Sequence, residues 1–189
     1  MKIVHPGVFL ALLTPLVLMH PAICQPTTMS WPEAIAPLAG GRTKAETCVA
    51  VLKKVGKEPQ IARGQLVYAN AKADSDAVIA GLITALFAGA KPTDLPALQT
   101  KLASSISALA EFCNSVNDIL SATTQPGEKN VLSAIIKIVP IEPLMKAASD
   151  GVAALYNNHR NDDALTRKTI QTQLEAARWP TFSEVKTAQ

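Results

Sequence analysis

Apolar residues recur three and four positions apart along most of this chain, which is the spacing of amphipathic α-helices. The clearest stripe predicts a helix beginning near Asp94, and its inward positions are Leu95, Leu98, Leu102, Ile106, Leu109, Phe112, Cys113, Val116, Ile119 and Leu120. No segment combines strand-like alternation with β-branched enrichment. The pattern therefore predicts an all-α fold, a single-domain bundle of about four to six mostly antiparallel helices.

Capping signals predict where the first helices begin and end. A capping box at residues 30–33, with proline in the first turn, starts a short helix that should stop by Gly40-Gly41. A second box at residues 43–46 starts another helix, which is expected to end at Gly56.

A third helix is expected from about Pro59 to Phe87. Its second half, residues 77–90, is nearly all apolar, which predicts that other helices surround it. That run is too short to span a bilayer. Its small side chains are also the feature that would leave space for an apolar ligand between helices.

The chain after residue 120 carries weaker signals. Residues 121–127 have the composition of a loop, and residues 128–139 predict a short apolar helix ended by Pro140. A new helix is expected to start near Glu142.

A polar stretch at residues 157–163 leaves two outcomes open for this last helix. Either one helix crosses the stretch, or the chain breaks near Asn161 and restarts on an Asp162 or Asp163 cap. Inward spacing carried across the stretch by His159 and Thr166 favours one continuous helix. Trp179-Pro180 should end it.

The two ends of the chain differ from the predicted bundle at residues 30–183. Residues 1–24 have the features of a secretory signal, a basic start, an uncharged apolar run and small residues near the exit, so we expect cleavage after Cys24. Lipid modification of Cys24 is the alternative, but Ile23 is not a usual preceding residue for it. Residues 25–29 form a polar lead, and residues 184–189 a loose tail. The expected location is the periplasm or the exterior.

Export leaves Cys48 and Cys113 as the remaining thiols, in an oxidising compartment. Both fall on inward-facing helix stripes, so the sequence predicts a Cys48–Cys113 disulfide. A crosslink over a loop of this length contributes about 4 kcal/mol on the chain-entropy model.

Charge argues against a nucleic-acid partner. The chain has 18 basic and 15 acidic residues, and only 4% of its residues are aromatic, whereas a nucleic-acid binder concentrates basic charge beside stacking aromatics. A local basic group comprises Lys53, Lys54, Lys57 and Arg63. We expect these cations to favour the end of a helix dipole rather than to form an anion site.

Histidine usage limits catalysis and metal binding. His159 is the one histidine outside residues 1–24, so histidine-rich zinc sites and HExxH motifs are excluded. His159, Asp162 and Asp163 would share one face of a continuous helix, as a trio of possible ligands. We favour a polar surface in which Asp163 pairs with Arg167, and we expect no metal centre and no cofactor.

A carboxylate-dependent cell-wall hydrolase needs no histidine, only two acids across a cleft. Glu111 is the acid in the most apolar surroundings, but its helix position lies beside the inward stripe, which indicates a solvated flank. No pair of catalytic acids is therefore assigned.

Trp31 and Trp179 stand near the two ends of the predicted bundle. We expect both to plug one end of the core, because the ends of a compact domain often lie close together. The alternative makes them an exposed anchor for a partner protein, a role in which tryptophan is over-represented.

The function expected from this sequence is that of an exported, non-enzymatic helical bundle that binds another protein, as an inhibitor, an immunity-type protein or an envelope adaptor. A carrier of a small apolar ligand is the first alternative, and a carboxylate-dependent hydrolase is the second. Membrane attachment is expected only if Cys24 is lipidated.

Overall fold

A computed structural model of the chain describes residues 29–89, 91, 94–123 and 140–188. Over these residues the chain forms helices and no strand, which confirms the expected all-α bundle. The helices are α1 (Trp31–Val55), α2 (Glu58–Ala88), α3 (Asp94–Thr123), α4 (Ile141–Asn158) and α5 (Ala164–Ala176). The predicted export signal at residues 1–24 and the predicted helix at residues 128–139 lie outside the described residues.

The first helix does not stop at Gly40-Gly41, so the predicted pair of short helices is wrong. Its start is as predicted, because the Glu33 carboxylate accepts hydrogen bonds from the Ser30 backbone N–H (3.0 Å) and hydroxyl (2.6 Å). The second capping box is not used: the Thr43 hydroxyl donates back to the Ala39 carbonyl at 3.1 Å, inside a continuous helix.

Tertiary contacts explain why the two glycines remain helical. A β-carbon at Gly40 would lie 3.3 Å from Leu144 Cδ1, and one at Gly41 would lie 3.8 Å from Trp179 Nε1. Gly40 therefore lets α4 pack closely on α1, whereas Gly41 is at ordinary contact distance from Trp179. This packing outweighs the low helix propensity of glycine.

The chain breaks between α4 and α5, so the favoured continuous helix is also wrong and the alternative restart is correct. Asp163 is the N-cap of α5, and its Oδ1 accepts a hydrogen bond from the Thr166 backbone N–H at 2.9 Å. Short polar side chains that bind nearby backbone groups favour such a cap over a helix interior.

The helices pack as antiparallel pairs. Gly64 and Gly81 on α2 approach Phe112 and Leu98 on α3, respectively, so α2 and α3 run in opposite directions. In the same way, α1 and α4 run antiparallel, with Gly151 of α4 against the backbone of Ala34 and Leu144 against Gly40.

The C-terminal segment is packed rather than loose, contrary to the expected tail. Val185 is buried, its carbonyl accepts a hydrogen bond from Lys53 Nζ at 2.5 Å, and the Ala188 N–H donates to the Ala50 carbonyl at 3.1 Å. Near the start of this segment, the Pro180 carbonyl accepts a hydrogen bond from the Tyr68 hydroxyl at 2.6 Å. Residues 179–188 therefore lie across α1 and α2.

The predicted disulfide is confirmed. Cys48 on α1 and Cys113 on α3 are both buried and are joined by a disulfide bond, with their Cα atoms 5.4 Å apart. The bond links the first and third helices at the centre of one of the two apolar clusters of the core.

Candidate functional site

A groove of about 380 Å³ lies between the first half of α2 and the second half of α3. Its floor and inner sides are apolar and consist of Leu52, Gly64, Val67, Phe112 and Ile119. Its rim is polar and consists of Gln60 and Arg63 on α2 and Glu111, Ser115 and Asp118 on α3. An apolar centre inside a polar rim is the usual organisation of a binding surface.

Gly64 determines the depth of the groove floor. A β-carbon at this position would lie 2.3 Å from Leu52 Cδ2 and 3.2 Å from Phe112 Cε2, so only glycine lets both side chains lie against α2 in their present positions. Leu52 is one helical turn beyond Cys48, and Phe112 is the neighbour of Cys113. The disulfide therefore holds together α1 and α3, two of the three helices that supply the floor, and the groove is preformed.

Opposite charges stand on the two sides of the groove. Arg63 projects from α2, whereas Glu111 and Asp118 lie on α3, seven residues or about 10.5 Å apart along the helix axis. All three side chains are exposed, and none forms an ion pair within the described part of the chain.

The arrangement of the acids differs from that of a glycosidase. Glu111 is exposed, as expected for a solvated flank, and Asp118 lies on the same helix rather than across the groove. A glycosidase needs one acid on each side of the sugar and keeps one of them protonated in an apolar pocket.

The predicted polar trio does not meet at one point. His159 Nδ1 is 2.7 Å from Asp162 Oδ2, and His159 Nε2 is 3.2 Å from the Met29 carbonyl oxygen. Asp163 instead caps α5 through Thr166. Within the described ranges, no three histidine, cysteine or acidic side chains are grouped so that they could hold a metal ion.

The expected pairing of Asp163 with Arg167 is also wrong. Arg167 Nη1 donates to the Leu86 carbonyl at 3.1 Å, and its guanidinium lies over the Phe87 ring at 5.6 Å. Arg167 thus satisfies a carbonyl in the last turn of α2, where a cation also favours the helix dipole.

The two tryptophans lie in different parts of the core, so neither interpretation of them as a pair holds. Trp179 is only 4% exposed and stacks on Tyr68 with ring centroids 6.0 Å apart. Trp31 is partly buried against the other apolar cluster. The buried Trp179 is not an exposed anchor.

The small residues in 77–90 line a cavity of about 250 Å³ on the side that faces α3, and Asp94 and Lys101 are part of its lining. A β-carbon at Gly81 would lie 2.3 Å from Leu98 Cδ2, so the Leu98 side chain already fills this position. The prediction that helices surround this segment is wrong on its other side, where Ala80, Thr84 and Phe87 are exposed.

Sequence reasoning missed the groove as a unit. It included Arg63 in a basic group and placed Glu111 on a flank, but it did not connect them with Val67, Ser115 or Asp118. The available signal was Gly64, a glycine on the inward face of a long helix, where such a residue often permits a close approach.

Comparison with known proteins provides no relative: a scan of family models finds no match, and searches of curated proteins and of solved structures find no similar protein. Among the described helices, none has the length and apolar character needed to cross a membrane. What the chain does is therefore inferred from its own residues.

Proposed function

We propose that this chain is an exported, non-enzymatic helical bundle that binds another protein in the groove between α2 and α3. The observation that carries the proposal is the groove itself, which combines a preformed apolar floor with opposite charges on its two sides that form no ion pair among the described residues. Preformed apolar contacts limit the entropy lost on binding, and complementary charges select and orient the partner.

The chemistry of the groove favours an amphipathic helix as the bound segment. Such a helix would place apolar side chains, three or four residues apart, against Val67, Phe112 and Ile119. A basic side chain on it would face Glu111 and Asp118, and an acidic one would face Arg63. An inhibitor, an immunity-type protein and an envelope adaptor all work through contacts of this kind.

Export is part of the proposal because two features support it independently. Residues 1–24 have the pattern of a secretory signal. The buried Cys48–Cys113 disulfide suits an oxidising compartment.

The two alternatives have less support. The cavity beside Gly81 has a volume of about 250 Å³, which is smaller than the roughly 300–1,000 Å³ of typical ligand pockets. The two groove acids stand on one helix rather than across a cleft.

Substitution of one groove serine tests the proposal. Ser115→Arg introduces a long charged side chain into the groove, while Ser107→Arg makes the same change at an exposed α3 position outside it. The tagged proteins would be isolated from the native compartment, and copurifying proteins would be quantified together with the melting temperature.

We expect a stoichiometric protein companion with the wild-type chain and with Ser107→Arg, and its loss with Ser115→Arg at an unchanged melting temperature. Equal retention by both variants would contradict binding in the groove. A bound small molecule without a protein would favour the carrier, and cell-wall turnover abolished by Glu111→Gln would favour the hydrolase.

A further inference from the structure

The outward face of α2 carries no exposed charge over residues 65–88. The exposed residues in this range are Gln65, Leu66, Ala69, Asn70, Ala73, Ala80, Thr84, Phe87 and Ala88. Leu66 is 66% exposed and Phe87 is 46% exposed, which is unusual for large apolar side chains. A surface helix normally carries charged residues on its solvent side, so this face differs from that of an ordinary surface helix.

The three charged residues within this range are all neutralised by ion pairs. Asp76 pairs with Lys72 on α2 and with Arg178 of the C-terminal segment, the latter at 3.6 Å. Asp74 pairs with Lys101 on α3 at 3.9 Å and accepts a hydrogen bond from Ser104. A partner that covered this face would therefore not have to bury an unpaired charge.

The apolar positions on this face repeat every seven residues. Leu66, Ala73, Ala80 and Phe87 form one series; Ala62 precedes Leu66 by four residues, and Ala69 follows Leu66 by three. This is the seam of a helix that packs lengthwise against another helix. Arg167 of α5 contacts the Phe87 ring, but the four positions remain exposed among the described helices, although residues 77–90 have the composition of a surrounded segment.

We propose that a second copy of this chain covers the face, with the two α2 helices antiparallel about a two-fold axis. The distribution of side-chain sizes supports this occupant, because the large residues Leu66 and Phe87 stand at the two ends and alanines lie between them. Rotating a copy by 180° places Leu66 against Phe87 of the other copy. Ala73 then meets Ala80 of the other copy, so small residues face small ones at the centre.

Charge is compatible with this two-fold arrangement. The axis passes between Asp76 and Ala77, where two like charges would repel each other if they were free. Each Asp76 is instead paired with Lys72 and Arg178 of its own chain. Closed two-fold dimers with self-complementary surfaces are also the commonest homo-oligomers.

A lipid surface fits the face less well. Helices that lie in a membrane interface carry lysine and arginine along their polar side, which anionic lipids attract. The exposed residues of α2 between 65 and 88 include neither.

The size of the face predicts a weak dimer. From Ala62 to Phe87 the face is about 38 Å long, and a helix is about 10 Å wide, so each copy contributes roughly 400 Å². A total of about 800 Å² is below the roughly 1,200–2,000 Å² of stable specific interfaces and lies in the range of weak, transient ones. Dimerisation should therefore depend on concentration in the micromolar range or above.

Sedimentation equilibrium of the purified chain, with two matched variants, tests the inference. Leu66→Glu places a charge in the seam, and Leu165→Glu makes the same change at a leucine on α5 that is 77% exposed. We expect wild type and Leu165→Glu to form dimers with similar dissociation constants, and Leu66→Glu to dissociate at least about tenfold more readily, since it buries two charges per dimer. Because the groove is not involved, Ser115→Arg should leave dimerisation unchanged.

A register test distinguishes this dimer from other modes of association. A thiol-reactive crosslinker should join Ala73→Cys to Ala80→Cys chains in a mixture, in preference to joining either variant to itself. A monomer at every concentration would overturn the proposal, as would equal weakening by Leu165→Glu. Binding of the monomer to phospholipid vesicles, lost in Leu66→Glu, would assign the face to a membrane instead.

Discussion

Gly151 on α4 lies directly against the backbone of Ala34 on α1. A β-carbon at residue 151 would stand 2.3 Å from the Ala34 carbonyl oxygen and 3.1 Å from its carbonyl carbon. The obstacle is helix backbone rather than a movable side-chain end, so the α1–α4 spacing depends on a hydrogen atom at this position.

This contact predicts that Gly151→Ala is destabilising although alanine is the better helix former. The helices must separate, and overpacking of this kind costs about 1–3 kcal/mol. Gly40→Ala on the opposite helix is the matched control, because its β-carbon would meet only the side-chain atom Leu144 Cδ1, at 3.3 Å. Urea unfolding should therefore give a lower free energy of unfolding for Gly151→Ala than for Gly40→Ala, and equal values would contradict the packing described.

Removing the disulfide should lower stability substantially. The bond between Cys48 and Cys113 spans a sequence separation of 65 residues. A loop of that length restricts the unfolded chain by about 4 kcal/mol. The double variant Cys48→Ala with Cys113→Ala should show this loss in urea unfolding, whereas a change below about 1 kcal/mol would mean that the bond restricts the unfolded chain little.

Tyr68 is expected to make stability depend on alkaline pH. Burial is the main cause that raises the pKa of its hydroxyl, which donates to the Pro180 carbonyl at 2.6 Å. In the unfolded chain the hydroxyl ionises near pH 10, so above that pH unfolding releases a proton and stability falls as the pH rises.

Tyr68→Phe removes both the hydrogen bond and this proton. It should cost about 1 kcal/mol at neutral pH and should flatten the decline above pH 10. Chemical denaturation at pH 7 and at several values above pH 9 measures both effects. A variant that declines as steeply as the wild type would contradict the assignment.

Acid should weaken the helix caps. Hydrogen bonds from Ser30 lower the pKa of Glu33, and hydrogen bonds from Thr166 lower the pKa of Asp163. The stabilisation from these carboxylates is present above the unfolded-state pKa values near 4 and is lost as the pH falls through the lower folded-state values. Asp163→Asn keeps an N-cap side chain but removes the titrating carboxyl. The variant should therefore lose less stability than the wild type between pH 5 and pH 3. If the free energy of unfolding of Asp163→Asn fell as steeply as that of the wild type over this pH range, Asp163 would not contribute to the acid sensitivity.

The parts of the fold set by local spacing could be predicted from the sequence. The apolar stripes of α2 and α3 locate those helices within a few residues, and the inward positions of Cys48 and Cys113 identify the disulfide. Both results depend on helical periodicity, which a single chain segment displays by itself.

The parts set by contacts between distant segments could not be predicted. Gly40 stays helical because Leu144, about 100 residues later, packs on it, and residues 184–188 are ordered by Lys53 and Ala50. The groove depends on Gly64, Leu52 and Phe112 meeting from three helices. The spacing of apolar residues within one helix does not specify which residues of other helices it will contact.

The most direct test of the groove as a protein-binding site is photo-crosslinking in the native compartment. A photoreactive amino acid would replace Ser115 in one strain and Ser107 in another, and crosslinked products would be identified by mass. A single protein crosslinked through residue 115 and not through residue 107 is the predicted result. A chain that forms no adduct from residue 115, or the same adducts from both positions, would contradict a binding site between α2 and α3.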